Sequence, residues 1–198
     1  MPRPKLRTPE LRDRLLTEAL DLLAGEGAAG FTARRLASRA RTSTPAVYEL
    51  FGDKAGLIRE VFFLGWRLLA DRLARVEPSA DPRADLTRVA RLYREFMLEN
   101  PRLAEVMLAR PFADFDPAAE EAEAGAAVRE LIVGHVRRCV HAGLLEGDET
   151  DLAHVVVALV QGMSVAENAR RLGRSPASVE RRWQLGLDAL LRGMTPTS

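Results

Sequence analysis

The sequence predicts an all-α protein, on three observations. Ala, Leu, Arg and Glu dominate its 198 residues, and β-branched runs are scarce. Apolar residues recur at i, i+3, i+4 and i+7 along most of the chain. Cap-and-break signals punctuate it at Thr8-Pro9, Thr32, Ser43, Gly52-Asp53, Asp81-Pro82, Asn100-Pro101, Asp116-Pro117, Asp148 and Ser175-Pro176, giving about nine helices.

Taken in order, MPRPKLR is basic with two prolines and reads as a flexible arm. Thr8 caps a first helix over 9–24, where Leu11, Leu15, Leu16, Ala19, Leu20, Leu22 and Leu23 fall at helical spacing. GEGAAG (25–30) is expected to end it as a C-cap and loop. The same six residues match the dinucleotide pattern G-x-G-x-x-G, but that motif needs a buried strand before it and here a leucine-rich helix precedes. Thr32 caps a second helix over 33–40, Arg41-Thr42-Ser43 form a turn, and Ser43 caps a third over 44–50, whose first turn accommodates Pro45. A long fourth helix runs over 54–76. The fifth opens at Asp81-Pro82 and carries Leu86, Val89, Leu92, Tyr93, Phe96 and Met97. A short one follows over 101–109, and RPFADFDP is a proline-bounded loop. The last three run from Asp116-Pro117 to near Gly143, from Asp148 to about Leu172, and from Ser175-Pro176 to near Gly193.

Composition narrows the class. Hydrophobic residues make up 47%, which suits a packed core and excludes a disordered acidic chain. The longest apolar run, 155–160, is far too short to span a bilayer, and the N-terminus shows no secretory pattern. A single cysteine, Cys139, excludes an internal disulfide and fits a reducing compartment, so a soluble cytoplasmic protein is expected. Net charge is +1, unevenly spread: residues 1–54 hold ten Lys/Arg against seven Asp/Glu, net +3. Between Thr32 and Thr44 stand Arg34, Arg35, Arg39 and Arg41 with no acid among them, the footprint expected of a small nucleic-acid contact.

Two stretches have the order of a helix-turn-helix: ARRLASRARTSTPAVYELF (33–51) and ENARRLGRSPASVERRW (167–183). Such a motif holds its second helix in the major groove by burying a few residues between two short helices. The first stretch supplies them in Leu36, Ala37, Ala40, Val47 and Phe51. The second places Asn168 where the first has Leu36, and an amide there needs partners or costs about 1–3 kcal/mol. A capped helix precedes the first stretch and another follows, completing a three-helix core, so the first is taken as the DNA reader.

Residues 32–54, TARRLASRARTSTPAVYELFGDK, resemble the DNA-binding signature of the TetR (tetracycline-repressor) family, including Tyr48-x-x-Phe51 and Lys54 three residues on. Arg41 and Thr42 stand where that family often has glycine and valine. The resemblance implies phosphate contacts from Thr32, Ser43, Tyr48 and Lys54, and base-facing positions at Arg34, Thr44, Pro45, Ala46 and Glu49. Lys5 and Arg7 are candidates for the minor groove. It also implies a DNA-binding domain over 1–54 and a helical ligand-binding and dimerisation domain over 55–198. The implied protein is a homodimer that represses from a palindromic double-stranded operator and is released by a small-molecule effector. VALVQGMSVAENARRL resembles the WHG-type C-terminal domain, with Gln161-Gly162 in place of His-Gly and without its tryptophan.

For the effector pocket, the polar residues on apolar helix faces are His135, Cys139 and Gln161, with Tyr93, Phe96 and Met97 as an opposite wall. Val179, Trp183, Leu187, Leu190 and Leu191 form the stripe expected at the dimer interface, or else an internal core. His135, Cys139, His141 and His154 do not cluster as metal ligands do, so no metal or cofactor is expected. No nucleophile motif, phosphate loop or carboxylate pair points to an enzyme.

Overall fold

A computed structural model of the chain describes residues 8–108 and 119–196. Among the described residues it forms nine helices and no strand: α1 (Pro9–Gly30), α2 (Ala33–Arg39), α3 (Thr44–Phe51), α4 (Lys54–Leu73), α5 (Pro82–Glu99), α6 (Pro101–Leu108), α7 (Ala119–His141), α8 (Glu149–Asn168) and α9 (Pro176–Gly193). The caps fall where the sequence signals them. Side-chain oxygens of Thr8, Thr32, Ser43, Asp148 and Ser175 accept from the first-turn amides of α1, α2, α3, α8 and α9. No described helix is long and apolar enough to cross a membrane. The arm with Lys5 and Arg7, the loop RPFADFDP and the start expected at Asp116-Pro117 lie outside the described residues.

One expectation is corrected at GEGAAG. α1 does not stop near residue 24 but continues to Gly30, and Phe31 leaves the helix with extended backbone. Glycine weakens a helix by only about 1 kcal/mol. The stop is set further on, where Phe31 is fully buried and Thr32 caps α2. Smaller differences trim α4 to Leu73 and α8 to Asn168.

The chain packs as two compact units whose division falls inside α4, after Trp66. The first holds α1–α3, the start of α4 and α6. Its core is Leu11, Leu15, Leu22, Leu23, Phe31, Leu36, Val47, Leu57 and Val61. Gly65 lets α6 approach α4, since a Cβ there would lie 2.6 Å from the Met107 sulfur and 3.0 Å from Leu103. The second unit holds the end of α4 with α5, α7, α8 and α9. In it α5, α7 and α8 pack on one another around Leu86, Tyr93, Met97, Val136 and Val160.

Polar ties fasten the second unit. Asp85 is fully buried and accepts from the Ser79 amide and hydroxyl, each at 2.7 Å, and from Arg138 at 2.6 Å. These bonds tie the segment after α4 to α5 and α7, and hold the Asp85 carboxyl well below the usual carboxylate range, with the Arg138 guanidinium the largest cause. A second tie centres on Arg94, whose guanidinium meets Glu167 at two points of 2.9 Å and Glu180 at 2.6 Å. It also stacks 4.7 Å from the Trp183 ring, whose Nε1–H donates to Glu167 at 2.6 Å. One arginine thereby joins α5 to α8 and α9.

Candidate nucleic-acid interface

Local chemistry fixes the α2–α3 corner. Leu36, Ala37 and Ala40 on one side and Val47 and Phe51 on the other are all buried, as the motif requires. α2 ends in a Schellman turn: the Arg41 amide donates to Ser38 O at 3.2 Å and the Thr42 amide to Ala37 O at 2.8 Å. That turn needs a left-handed residue, and Arg41 takes it at φ 53°, which costs a non-glycine residue about 1–2 kcal/mol. The turn therefore keeps its shape without the glycine.

The far end of α3 is equally constrained. Gly52 sits at φ 76°, ψ −71°, and the Asp53 amide donates to Phe51 O at 3.0 Å, a γ-turn that suits glycine. Asp53 then caps α4 by accepting from the Gly56 amide at 2.7 Å. A Cβ on Gly56 would collide with the Phe51 carbonyl oxygen and lie 3.2 Å from its carbon, so the start of α4 is pressed against the end of α3. Arg12 of α1 closes the corner, 5.8 Å from the Phe51 ring centre and paired with Glu60.

On the outer surface of this frame stand the residues expected to meet DNA. Thr32, Arg34, Ser43, Pro45, Tyr48, Glu49 and Lys54 are exposed, and Thr44 and Ala46 are half-buried. Tyr48 is 46% exposed, unusual for so large a ring, and lies one turn after Thr44, flanking the buried Val47 and Phe51. Thr32 Oγ1 and Ser43 Oγ each accept a backbone amide at 3.3 Å, which leaves each hydroxyl proton available to a phosphate oxygen.

The basic stripe divides in two. Arg35 pairs with Glu26, and Arg39 with Glu18 at 2.7 Å and Asp21 at 3.8 Å, all acids of α1. Arg34, Arg41 and Lys54 have no acidic partner among the described residues. The spacing carries this signal, because 35 and 39 share a helix face.

The second helix-turn-helix-like stretch has a different structure. Its first part is the end of the twenty-residue α8, not a short helix, and a connector over 169–175 replaces the short turn over 40–43. Arg170 closes α8 at φ 56° with the same pair of turn bonds. Asn168 finds its partner in Met97 O, 3.2 Å away.

The residues expected to line an effector pocket separate. Tyr93, Phe96, Met97 and Cys139 are buried core side chains. Burial pushes the Tyr93 phenol up to about 12, and Gln161 Nε2 donates to its oxygen at 2.8 Å, so the pair acts as a strut between α5 and α8. Burial likewise raises the Cys139 thiol. His135 is 7% exposed, its Nδ1 has no hydrogen-bond partner among the described residues, and burial lowers its pKa. It lines a groove of about 620 Å³ with Val76, Pro78, Leu131, Gly134 and Arg138.

Of the two alternatives for the α9 stripe, burial favours the internal core. Val179, Trp183, Leu187 and Leu191 are buried within the chain and Leu190 is half-buried, because this face of α9 packs inward. The outward apolar residues are Leu185 at 64% exposure with Ala189 on α9, and Val155, Ala158, Gly162 and Val165 along one face of α8. No group of three His, Cys, Asp or Glu among the described residues is placed to hold a metal.

Comparison with known proteins agrees with this frame. Residues 15–61 match the model of bacterial regulatory proteins of the tetR family, and residues 86–190 match the tetracyclin repressor-like C-terminal domain. No curated protein matches the chain. Among solved structures, a protein of unknown function from Rhodococcus sp. RHA1 is 27% identical, with 98% of this chain and 100% of that chain covered and a TM-score of 0.82. The TetR family transcriptional regulator PfmR from Thermus thermophilus is 24% identical over 94% of this chain and 98% of its own, at a TM-score of 0.68. A TetR variant from Acinetobacter baumannii AYE, in complex with minocycline, is 24% identical over 90% and 93%, at 0.65. With a helix-turn-helix that matches at one end and a family domain matching over 86–190, this chain belongs to the TetR family of bacterial transcriptional regulators.

Proposed function

We propose that the protein is a repressor that binds a palindromic operator as a homodimer and lets go when a small molecule binds it. The observation that carries the DNA contact is the outward set on α2–α4. Arg34, without an acidic partner among the described residues, is suited to a guanine edge, and Thr44 and Ala46 to a thymine methyl. Pro45 and Glu49 share that outer surface, while Thr32, Ser43, Tyr48 and Lys54 supply donors to phosphates. The reading assigns 1–54 to DNA binding and 55–198 to effector binding and dimerisation.

One eight-residue recognition helix reads few bases, and a twofold pair reads two half-sites about 34–36 Å apart or a multiple of that. The face of α8 and α9 bearing Val155, Val165 and Leu185 is suited to a second copy, since it leaves large apolar side chains in water. For the effector, support comes from the groove along α7, where apolar walls meet the unpartnered His135 nitrogen. The Acinetobacter structure shows that a protein of this fold holds a small molecule, minocycline.

Selection of duplexes from random DNA by the purified protein tests the proposal. The expected output is a twofold-symmetric site bound by two chains. Enrichment of no sequence, or of an asymmetric site bound by one chain, would refute it.

A further inference from the structure

We infer that Arg41 is itself a phosphate contact, one that sets the overall affinity of the protein for DNA rather than its choice of sequence. The inference rests on the DNA-binding reading of α2–α4. The Schellman turn demands a left-handed residue, and glycine takes that conformation freely, yet an arginine occupies it. An observed backbone outlier motivates a search for function. No acid among the described residues rewards this side chain within the fold, and it is exposed.

Strain alone does not single out Arg41, because Arg170 closes α8 in the same conformation. Its setting does. Arg41 stands two residues before the Ser43 cap of α3, and Lys54 stands three residues after the last residue of α3. The two flank the recognition helix at its beginning and end. The preceding arginines of α2, Arg35 and Arg39, are paired with acids of α1. A guanidinium beside the amide-bearing start of a helix suits a phosphate oxygen.

The test uses the full chain, a duplex selected by the wild-type protein, and an unrelated duplex, with Arg41→Gly, Arg41→Lys and Arg170→Gly. Each phosphate contact contributes about 0.9 to the slope of log affinity against log salt, so two lost contacts flatten it by about 1.8 and weaken binding roughly 60-fold at about 0.1 M salt. Arg41→Gly is expected to show both effects, to the same degree on both duplexes, with no fall in its thermal unfolding midpoint. Arg41→Lys is expected to keep the wild-type slope, and Arg170→Gly the wild-type slope and affinity.

An unchanged slope in Arg41→Gly, an equal loss in Arg170→Gly, or a loss accompanied by a lower unfolding midpoint would overturn the assignment. Failure of the wild-type protein to bind any duplex would overturn the DNA-binding reading and this contact together.

Discussion

Replacing Gly56 by alanine tests whether the angle of the recognition helix is set by contact between α3 and α4. The added methyl falls on the backbone carbonyl of Phe51, which cannot rotate aside as a side chain would. Restoring ordinary contact needs a retreat of about 1 Å or more at the end of α3, against the roughly 0.5 Å tolerance of a binding constellation. Overpacking of this kind costs about 1–3 kcal/mol, and an immovable partner puts Gly56 at the upper end. Alanine's helix preference returns about 1 kcal/mol, leaving a net loss of about 2 kcal/mol. In a chain of this length that corresponds to about 4–8 °C in thermal midpoint. Gly134→Ala is the control, since nothing lies within 4 Å of its added Cβ and it should gain the helix preference alone. Differential scanning calorimetry together with anisotropy on a selected duplex reads both effects. A Gly56→Ala protein that melts at or above the wild-type temperature and binds DNA with unchanged affinity would refute the contact's role.

Other consequences follow from the second unit. Leu185→Glu places a charge on the outward face of α8 and α9, and light scattering should then find one chain per particle where the wild type shows two; an unchanged mass would move the interface elsewhere. Arg94→Ala removes charged hydrogen bonds to Glu167 and Glu180 and the stack on Trp183, and should cost about 2 kcal/mol in urea unfolding, with a loss below about 0.5 kcal/mol contradicting its role as a tie. Acidification should act in two windows. Burial lowers the His135 pKa, so its contribution is full above the unfolded value of about 6.5 and is lost as pH falls below that. The Asp85 pKa is lowered by Arg138, so its contribution is full above about 3.9 and is lost only at lower pH. The urea midpoint should therefore decline from about pH 6.5 in the wild type and stay level to about pH 5 in His135→Leu; parallel curves would discount the His135 effect.

The frame of the DNA-binding unit is legible in the sequence because it is local. Leu36, Val47 and Phe51 lie within sixteen residues, and the cap at each helix start is a single side chain acting on its own first turn. The end of α1 is not legible, because glycine only weakens a helix and burial of Phe31, a tertiary event, decides where α1 stops. Helical periodicity also shows that Val179, Trp183, Leu187 and Leu191 share a face, but not whether that face meets its own subunit or another copy. Leu185, the most exposed large hydrophobic of α9, falls off that stripe and carries no periodic signal. The Arg94 tie is invisible in the sequence, since its acidic partners lie 73 and 86 residues away and long-range pairing leaves no local pattern. Tyr93 and Gln161 look like pocket residues because a polar group on an apolar face signals either a ligand or a buried partner, and here each is the partner of the other.

Everything proposed for this chain depends on α2 and α3, not the similar-looking α8–α9 corner, reading DNA. Binding of the selected duplex by Arg34→Ala, Tyr48→Ala and Arg174→Ala, measured at one salt concentration on correctly folded protein, tests this most directly. Loss of about tenfold or more in the first two, with Arg174→Ala at wild-type affinity, is the predicted result. Undiminished binding by the first two together with loss in Arg174→Ala would contradict it.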